Sequence, residues 1–230
     1  MIVWAMASAL ASPCDEHALF VQGTSMTMTH YNRKGKVSTT VVSENREVRA
    51  DGTASIHAET ADKKGKDLIE VDYDVRCGDD GGITIDMQAF LPPDMVTPYG
   101  DQYDVDFEST ELAFPASLSV GQDLPDATVT ANLAMQGGAP SPLTNVKIDM
   151  QIQDRKVVAQ ESVTVPAGTF DAWKITSTSK VVTQTIMKVS AAMASTDWYV
   201  PGVGVVRSET FRGNGKQLGY SELTALSRGR

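Results

Sequence analysis

Two stretches near the carboxyl terminus decide the fold. Residues 161–181 read E-S-V-T-V-P-A-G-T-F-D-A-W-K-I-T-S-T-S-K-V, and residues 197–226 read D-W-Y-V-P-G-V-G-V-V-R-S-E-T-F-R-G-N-G-K-Q-L-G-Y-S-E-L-T-A-L. Runs rich in valine, threonine, isoleucine and aromatic residues alternate there with Pro-Ala-Gly, Pro-Gly and Gly-Asn-Gly breaks. This alternation is typical of antiparallel strands joined by tight turns.

One register can be predicted inside the second stretch. If Asn214 and Gly215 are the two central residues of a hairpin turn, pairing runs outward from them. Phe211 then faces Leu218, and Arg207 faces Glu222. An apolar pair and an ion pair in one register support this pairing.

The same pattern extends back through the first half of the chain. It predicts strands at 25–31, 37–48, 54–60, 68–76 and 83–90, and a charged turn ending in Gly-Lys recurs at 35–36, 65–66 and 215–216. Residues 91–96 could begin one helical turn, and no long amphipathic helix is evident. The sequence therefore predicts an all-β fold, a curved antiparallel sheet or incomplete barrel of successive hairpins with at most one or two short helical turns.

Length and charge bound the domain count and the partners. The chain has 230 residues, without a convincing interdomain linker, so residues 14–228 are predicted to form a single domain. The formal net charge of −9 argues against a nucleic-acid partner and against purely electrostatic docking on anionic lipid.

Residues 1–11 read M-I-V-W-A-M-A-S-A-L-A, an apolar run that ends in small residues. We interpret it as a secretory signal peptide. The positively charged n-region of such peptides is missing, so we interpret the peptide as truncated; the alternative is a first strand or helix of the fold. The run is too short to be a transmembrane segment. The predicted location is outside the cytoplasm: the periplasm, the outer-membrane surface or the extracellular space.

Two cysteines, Cys14 and Cys77, allow three interpretations. An even count in an exported chain indicates one structural disulfide. The alternatives are a redox pair and lipid attachment at Cys14. The absence of a C-x-x-C motif argues against a redox pair. Pro13 occupies the position before Cys14 where a lipidation site has a small residue, so the disulfide is favoured.

Catalytic and metal chemistry finds little support. The histidines His17, His30 and His57 lie in polar contexts without a nucleophile motif, and the chain is predicted not to be an enzyme. His30 and His57 could meet across neighbouring strands, but two histidines make a weak zinc site. Paired carboxylates such as Asp72 and Asp74 are typical of a solvated strand face. We therefore predict no metal site and no cofactor.

Large apolar side chains near the carboxyl terminus are the candidate ligand contacts. Methionine adapts to irregular apolar ligands, and curved open sheets hold ligands in their mouths. The alternative is that these residues simply fill the core. The candidates are Phe170, Trp173, Trp198, Tyr199 and Met187.

Several segments resemble the TapB-like family of exported bacterial proteins, typical of the Bacteroidota. They are V-P-A-G-T-F-D-A-W-K-I (165–175), W-Y-V-P-G-V-G-V-V-R-S-E-T (198–210), G-K-Q-L-G-Y-S-E-L-T (215–224), A-D-K-K-G-K (61–66) and F-L-P-P-D-M (90–95). The resemblance implies a β-rich fold near the half-barrel envelope lipoproteins and no established activity. Many members carry a cysteine where Ala172 stands here.

Two functions are expected from these features. The leading one is an envelope protein that binds a hydrophobic small molecule or lipid-like ligand in the concave face of the sheet, without catalysis. The other is a structural or adhesive module that binds an envelope protein partner, for example through an exposed strand edge.

Overall fold

Antiparallel strands make up most of the chain. The computed structural model describes residues 12–66, 69–90, 103–135 and 145–229, in which thirteen strands and two short 3-10 turns, Ala18–Phe20 and Met87–Phe90, are present. The strands are β1 (Ser25–Asn32), β2 (Val37–Val48), β3 (Thr53–Asp62), β4 (Ile69–Cys77), β5 (Ile83–Asp86), β6 (Tyr103–Ser109), β7 (Glu111–Phe114), β8 (Ala127–Met135), β9 (Asn145–Val165), β10 (Gly168–Gln184), β11 (Lys188–Val200), β12 (Gly204–Arg212) and β13 (Gln217–Ser227). The predicted all-β class is confirmed.

One expectation differs from the structure, and two fall outside the described residues. The predicted strand 83–90 stops after four residues, because the chain turns at Met87–Phe90. The predicted signal peptide at 1–11 and the predicted helical turn at 91–96 lie outside the described residues. No helix in the described part of the chain is long and apolar enough to cross a bilayer.

The sheet curls until its two edges meet. Its strand order is β6-β8-β9-β10-β11-β12-β13-β1-β2-β3-β4-β5-β7, so β6 and β7 lie at opposite edges although a single residue, Thr110, separates them in sequence. The Thr110 N–H donates to the Thr128 carbonyl, and the Thr128 N–H donates to Thr110 Oγ1, both at 2.8 Å. The chain thus joins one edge to the other, and the sheet forms a nearly closed barrel that encloses an interior.

Five hairpin turns share one geometry. In each, a glycine N–H donates to the carbonyl three residues earlier at 2.8–3.1 Å, and the glycine φ lies between 69° and 80°. That left-handed conformation suits glycine, since a Cβ would be strained there. The glycines are Gly35, Gly52, Gly65, Gly81 and Gly215. The predicted recurrence of turn chemistry at 35–36, 65–66 and 215–216 is therefore confirmed, and two further turns follow it.

The same turn corrects the predicted register of β12 and β13. Arg207 does pair with Glu222, as predicted, but Phe211 pairs with Gln217 and not with Leu218. The reason is that the turn spans Arg212 to Lys216, with a three-residue loop, and a bulge after Thr210 restores the register.

Two apolar clusters fill the molecule. The larger, called here the interior cluster, contains buried residues such as Ile56, Val75, Ile83, Leu133 and Ile148. The smaller, called here the Trp198 cluster, consists of Met26, Val165, Ala172, Trp198, Val200, Val203, Val206 and Leu223. It lies where the turn between β9 and β10 reaches β13, since the Ala167 N–H donates to the Leu223 carbonyl at 3.1 Å.

Candidate functional site

A cavity of about 410 Å³ lies inside the curved sheet. This volume falls in the range of roughly 300–1,000 Å³ that small-molecule sites occupy. One wall is apolar and is built from Ile83, Ile85, Leu112 and Phe114 on β5 and β7, while Ile175 and Tyr199 line the cavity beside Asp197. The rings of Phe114 and Tyr199 stack with centroids 4.5 Å apart. The cavity reaches the surface beside Phe90, which lines it and is 37% exposed.

The opposite wall carries a row of small polar side chains. Asp197, Ser208, Ser221 and His30 are successive cross-strand partners on β11, β12, β13 and β1, and all four line the cavity. Residues directly opposite one another on adjacent strands project from the same face of a sheet. Because serine is much smaller than the aromatic and branched residues of the apolar wall, the row leaves the space that the cavity occupies.

Hydrogen bonds fix the carboxylate in this row. Asp197 Oδ1 accepts from Ser208 Oγ at 2.5 Å, and Oδ2 accepts from Ser195 Oγ at 3.4 Å. Ser195 Oγ is also 2.7 Å from Ser177 Oγ. Burial raises the pKa of Asp197 above its ordinary value of 3.8, and the two serine hydroxyls and the charge of Arg155 oppose that rise.

A buried arginine on β9 also lines the cavity, two strands away from Asp197 in the sheet. Arg155 is 3% exposed and lines the cavity, and its guanidinium lies 5.0 Å from the centre of the Phe114 ring. Burial lowers its pKa to about 10, so it stays protonated at neutral pH. Within the described residues, its one side-chain hydrogen bond runs from Nη1 to the Pro125 carbonyl at 2.8 Å, and Asp197 and Asp126 attract it from beyond ion-pair distance.

The segment before β1 closes one end of the interior. Cys14 and Cys77 form the predicted disulfide across 63 residues of sequence, and Cys14 is buried in the interior cluster. Leu19, in the first 3-10 turn, lines the cavity, and its carbonyl accepts from Asn45 Nδ2 on β2. Burial, aided by Arg228, lowers the pKa of His17 to about 4, so its ring is neutral at physiological pH.

The five predicted ligand contacts do not converge. Tyr199 lines the cavity, and Trp173 is its cross-strand partner, packed against the interior cluster. Trp198 and Phe170 belong to or pack on the Trp198 cluster. Met187 is 74% exposed in the turn between β10 and β11. Of the five, Tyr199 alone is a cavity residue, and a ligand-binding role for it stays a prediction.

Sequence reasoning missed the polar residues of the cavity. One available signal was strand parity, because Arg155 lies two residues before the fully buried Val157 and therefore shares its inward face. A second was the spacing of Ser177, Ser195 and Asp197, which register in the β10–β11 hairpin would have brought together. Serines and one arginine in strands usually indicate a solvated face, which is why the pattern pointed away from the interior.

A histidine and several carboxylates meet on the other face of β3 and β4. His57 Nδ1 is 2.7 Å from Asp72 Oδ1, and its Nε2 is 3.4 Å from Glu59 Oε1. Three side chains, His57, Glu59 and Glu70, each place one potential ligand atom within 4.8 Å of the other two, so these residues could hold a cation. Exposed carboxylates of an acidic protein are ordinarily solvated, which makes the cavity the stronger candidate site.

The suggested meeting of His30 and His57 is wrong. His30 lines the cavity, whereas His57 alternates with Ile56 of the interior cluster and therefore projects away from the interior. Burial lowers the pKa of His30, so at neutral pH it is an uncharged member of the polar row.

Two solved structures share this fold. One is a protein from Bacteroides fragilis described as exported and as having a YmcC-like fold, with 22% identity, a TM-score of 0.66, and coverage of 90% of this chain and 96% of its own. The other, from Parabacteroides distasonis, is described as a lipoprotein, with 23% identity, a TM-score of 0.68, and coverage of 92% and 99%.

Other comparisons delimit the family. No curated protein matches the chain. The narrower TapB-like resemblance stays a prediction, and the descriptions of the matching family and of the two structures name no reaction. One family model spans residues 21–223, nearly the whole described sheet, and the chain belongs to that family, the DUF3108-like proteins.

Proposed function

We propose that the protein binds a small amphipathic ligand in its interior cavity, outside the cytoplasm and without catalysis. The observation that carries this proposal is the cavity itself, about 410 Å³ with an apolar wall facing a polar row. Most ligand sites combine a largely apolar lining with a few placed polar groups. An apolar body would lie against the first wall and a hydrogen-bonding group against the second.

Two features support a location outside the cytoplasm. A structural disulfide persists in oxidising compartments, and the Cys14–Cys77 bond joins two strongly separated parts of the chain. The two similar structures are described as an exported protein and a lipoprotein. The exported state and the ligand therefore form one proposal, that of a binding protein of the cell envelope.

The polar row does not form a hydrolytic triad. Such catalysis needs a serine hydroxyl hydrogen-bonded to a histidine that a carboxylate orients. Here Asp197 accepts from two serines, and within the described residues His30 makes no side-chain hydrogen bond to Ser221, its cross-strand neighbour. The carboxylate is thus arranged to hold serines in place, which favours binding over acyl transfer.

A cavity-filling variant tests the proposal. Ser179 lines the cavity and makes no side-chain hydrogen bond within the described residues, so Ser179→Phe fills space without breaking a contact. Ser190→Phe on exposed β11 surface is the matched control. After solvent extraction, the neutral fluorophore N-phenyl-1-naphthylamine should bind the wild type and the control, and bind Ser179→Phe at least about tenfold more weakly.

Either of two results would overturn the proposal. Wild-type protein that is extracted, folded and still unable to bind the fluorophore has no accessible apolar site. Equal binding by Ser179→Phe and Ser190→Phe would place the fluorophore elsewhere on the molecule.

A further inference from the structure

The cavity contains a positive charge without a matching ion pair. Arg155 is 3% exposed, and a guanidinium has five N–H donors. Within the described residues one hydrogen bond is made, to the Pro125 carbonyl, and the Phe114 ring supplies a cation–π contact. A buried charge is costly unless it is paired and hydrogen-bonded. The remaining donors belong to a side chain that lines the cavity.

Asp197 does not supply that pair. Each of its oxygens already accepts a serine hydroxyl, and it lies beyond ion-pair distance from Arg155. Burial raises its pKa above the ordinary value, while Arg155 and the two serine hydroxyls oppose that rise. The other titratable group in the polar row, His30, has a pKa lowered by burial and adds no negative charge. Asp126 also attracts Arg155 from beyond ion-pair distance, so within the described residues no carboxylate forms an ion pair with the guanidinium.

We infer that the ligand is an acidic amphiphile, an apolar chain ending in one carboxylate, and that this carboxylate pairs with Arg155. The inference rests on the proposed function and names its ligand class. A planar guanidinium fits a carboxylate with two parallel N–H···O bonds, a geometry that a neutral hydroxyl cannot match. The chain of the ligand would then lie along Ile83, Ile85 and Leu112 of the apolar wall.

Ligands that differ only in their head group test this inference. Dodecanoate, dodecanol and dodecylamine, each below its aggregation concentration, compete with N-phenyl-1-naphthylamine for the extracted full-length protein. Wild type should bind dodecanoate about tenfold or more tightly than dodecanol, since charge-assisted hydrogen bonds are strong. Arg155→Met should lose that preference and keep its affinity for dodecanol, and Arg155→Lys should retain part of the preference.

A second variant keeps the test independent of how Arg155→Met folds. Asp197→Asn removes a carboxylate that attracts the arginine, so its preference for dodecanoate over dodecanol should rise above that of the wild type. Equal wild-type affinity for dodecanoate and dodecanol, or a preference for dodecylamine, would overturn the acidic ligand while leaving a binding cavity. If the neutral fluorophore and all three amphiphiles fail to bind, the proposed function itself fails.

Discussion

Trp198 and Tyr199 are neighbours on β11 and project into two different environments. Around Trp198 the polar groups are paired: its Nε1 donates to Glu161 Oε1 at 2.7 Å, and Arg207 donates to Glu222 at 2.7 Å and to Glu209 at 2.8 Å. The Arg207 guanidinium also lies 5.4 Å from the centre of the indole.

Around Tyr199 the arrangement is incomplete. The ring borders an open cavity, and the nearby cation, Arg155, has one side-chain hydrogen bond within the described residues and no carboxylate at ion-pair distance. Two buried or half-buried arginines in one sheet thus differ in their partners. Where the partners are present, we expect substitutions to change stability; where they are missing, we expect them to change binding.

The largest expected effect is the loss of the disulfide, which should weaken both regions together. In the chain-entropy model a 63-residue loop contributes about 4 kcal/mol, mainly by restricting the unfolded chain. The double variant Cys14→Ser, Cys77→Ser should lose about that free energy of unfolding in urea titrations. Wild type unfolded in reductant is the control and should match the variant; a midpoint insensitive to reductant would contradict the prediction.

Trp198→Ala should separate stability from binding. Trp198 is 6% exposed within its cluster, and truncating such a residue costs about 3 kcal/mol through lost burial and a new cavity. We expect a lower urea midpoint and, at temperatures where the variant is folded, unchanged affinity for N-phenyl-1-naphthylamine. Tyr199→Phe is the matched control: it keeps the ring, so its stability should stay close to that of the wild type. A large loss of binding in folded Trp198→Ala would contradict the separation.

How much the sequence could predict follows the same division. Alternating residues and glycine turns were enough for the all-β class, and the pairing of Arg207 with Glu222 could be predicted because a charge pair marks it. Parity fails at bulges, and the pairing of β9 with β10 shifts after Thr176 and between Lys174 and Ile175. Assigning Arg155 and Asp197 to one cavity depends on those shifts and on how far the sheet curls, which local sequence does not encode.

A smaller effect is expected at the paired arginine. Arg207→Met keeps the length of the side chain but removes two charge-assisted hydrogen bonds and the cation–π contacts with Trp198 and Tyr220, so the free energy of unfolding should fall by about 1–2 kcal/mol. Arg207→Lys keeps the positive charge but not the planar guanidinium that bonds two carboxylates, and its free energy of unfolding should fall by roughly half as much. Urea titrations at low and high salt measure both. No loss in Arg207→Met would mean that these bonds only replace hydration.

The smallest expected effects are the opposite pH dependences of stability at two carboxyl groups, Asp197 in the cavity and Glu161 beside Trp198. Burial raises the pKa of Asp197 above 3.8, its ordinary value in the unfolded chain. At a pH between 3.8 and the raised pKa, the folded state therefore holds a proton that the unfolded state has released. The stability contributed by this group therefore falls as pH rises. At Glu161 the Trp198 and Lys174 donors lower the pKa below 4.5, and its stabilisation is present above 4.5 and lost as pH falls through the lowered value.

Matched neutral variants should reveal these opposite signs. Relative to wild type, Asp197→Asn should become more stable as pH rises from 3 to 7, because the amide has no buried charge to form. Glu161→Gln should become less stable over the same interval, because the ionised carboxylate accepts from Trp198 and Lys174 more strongly than a neutral amide does. Urea midpoints at each pH measure both differences. Parallel pH profiles would mean that the cavity and the surroundings of Trp198 share one electrostatic environment. That result would contradict the proposed difference between a binding cavity and a structural Trp198 cluster.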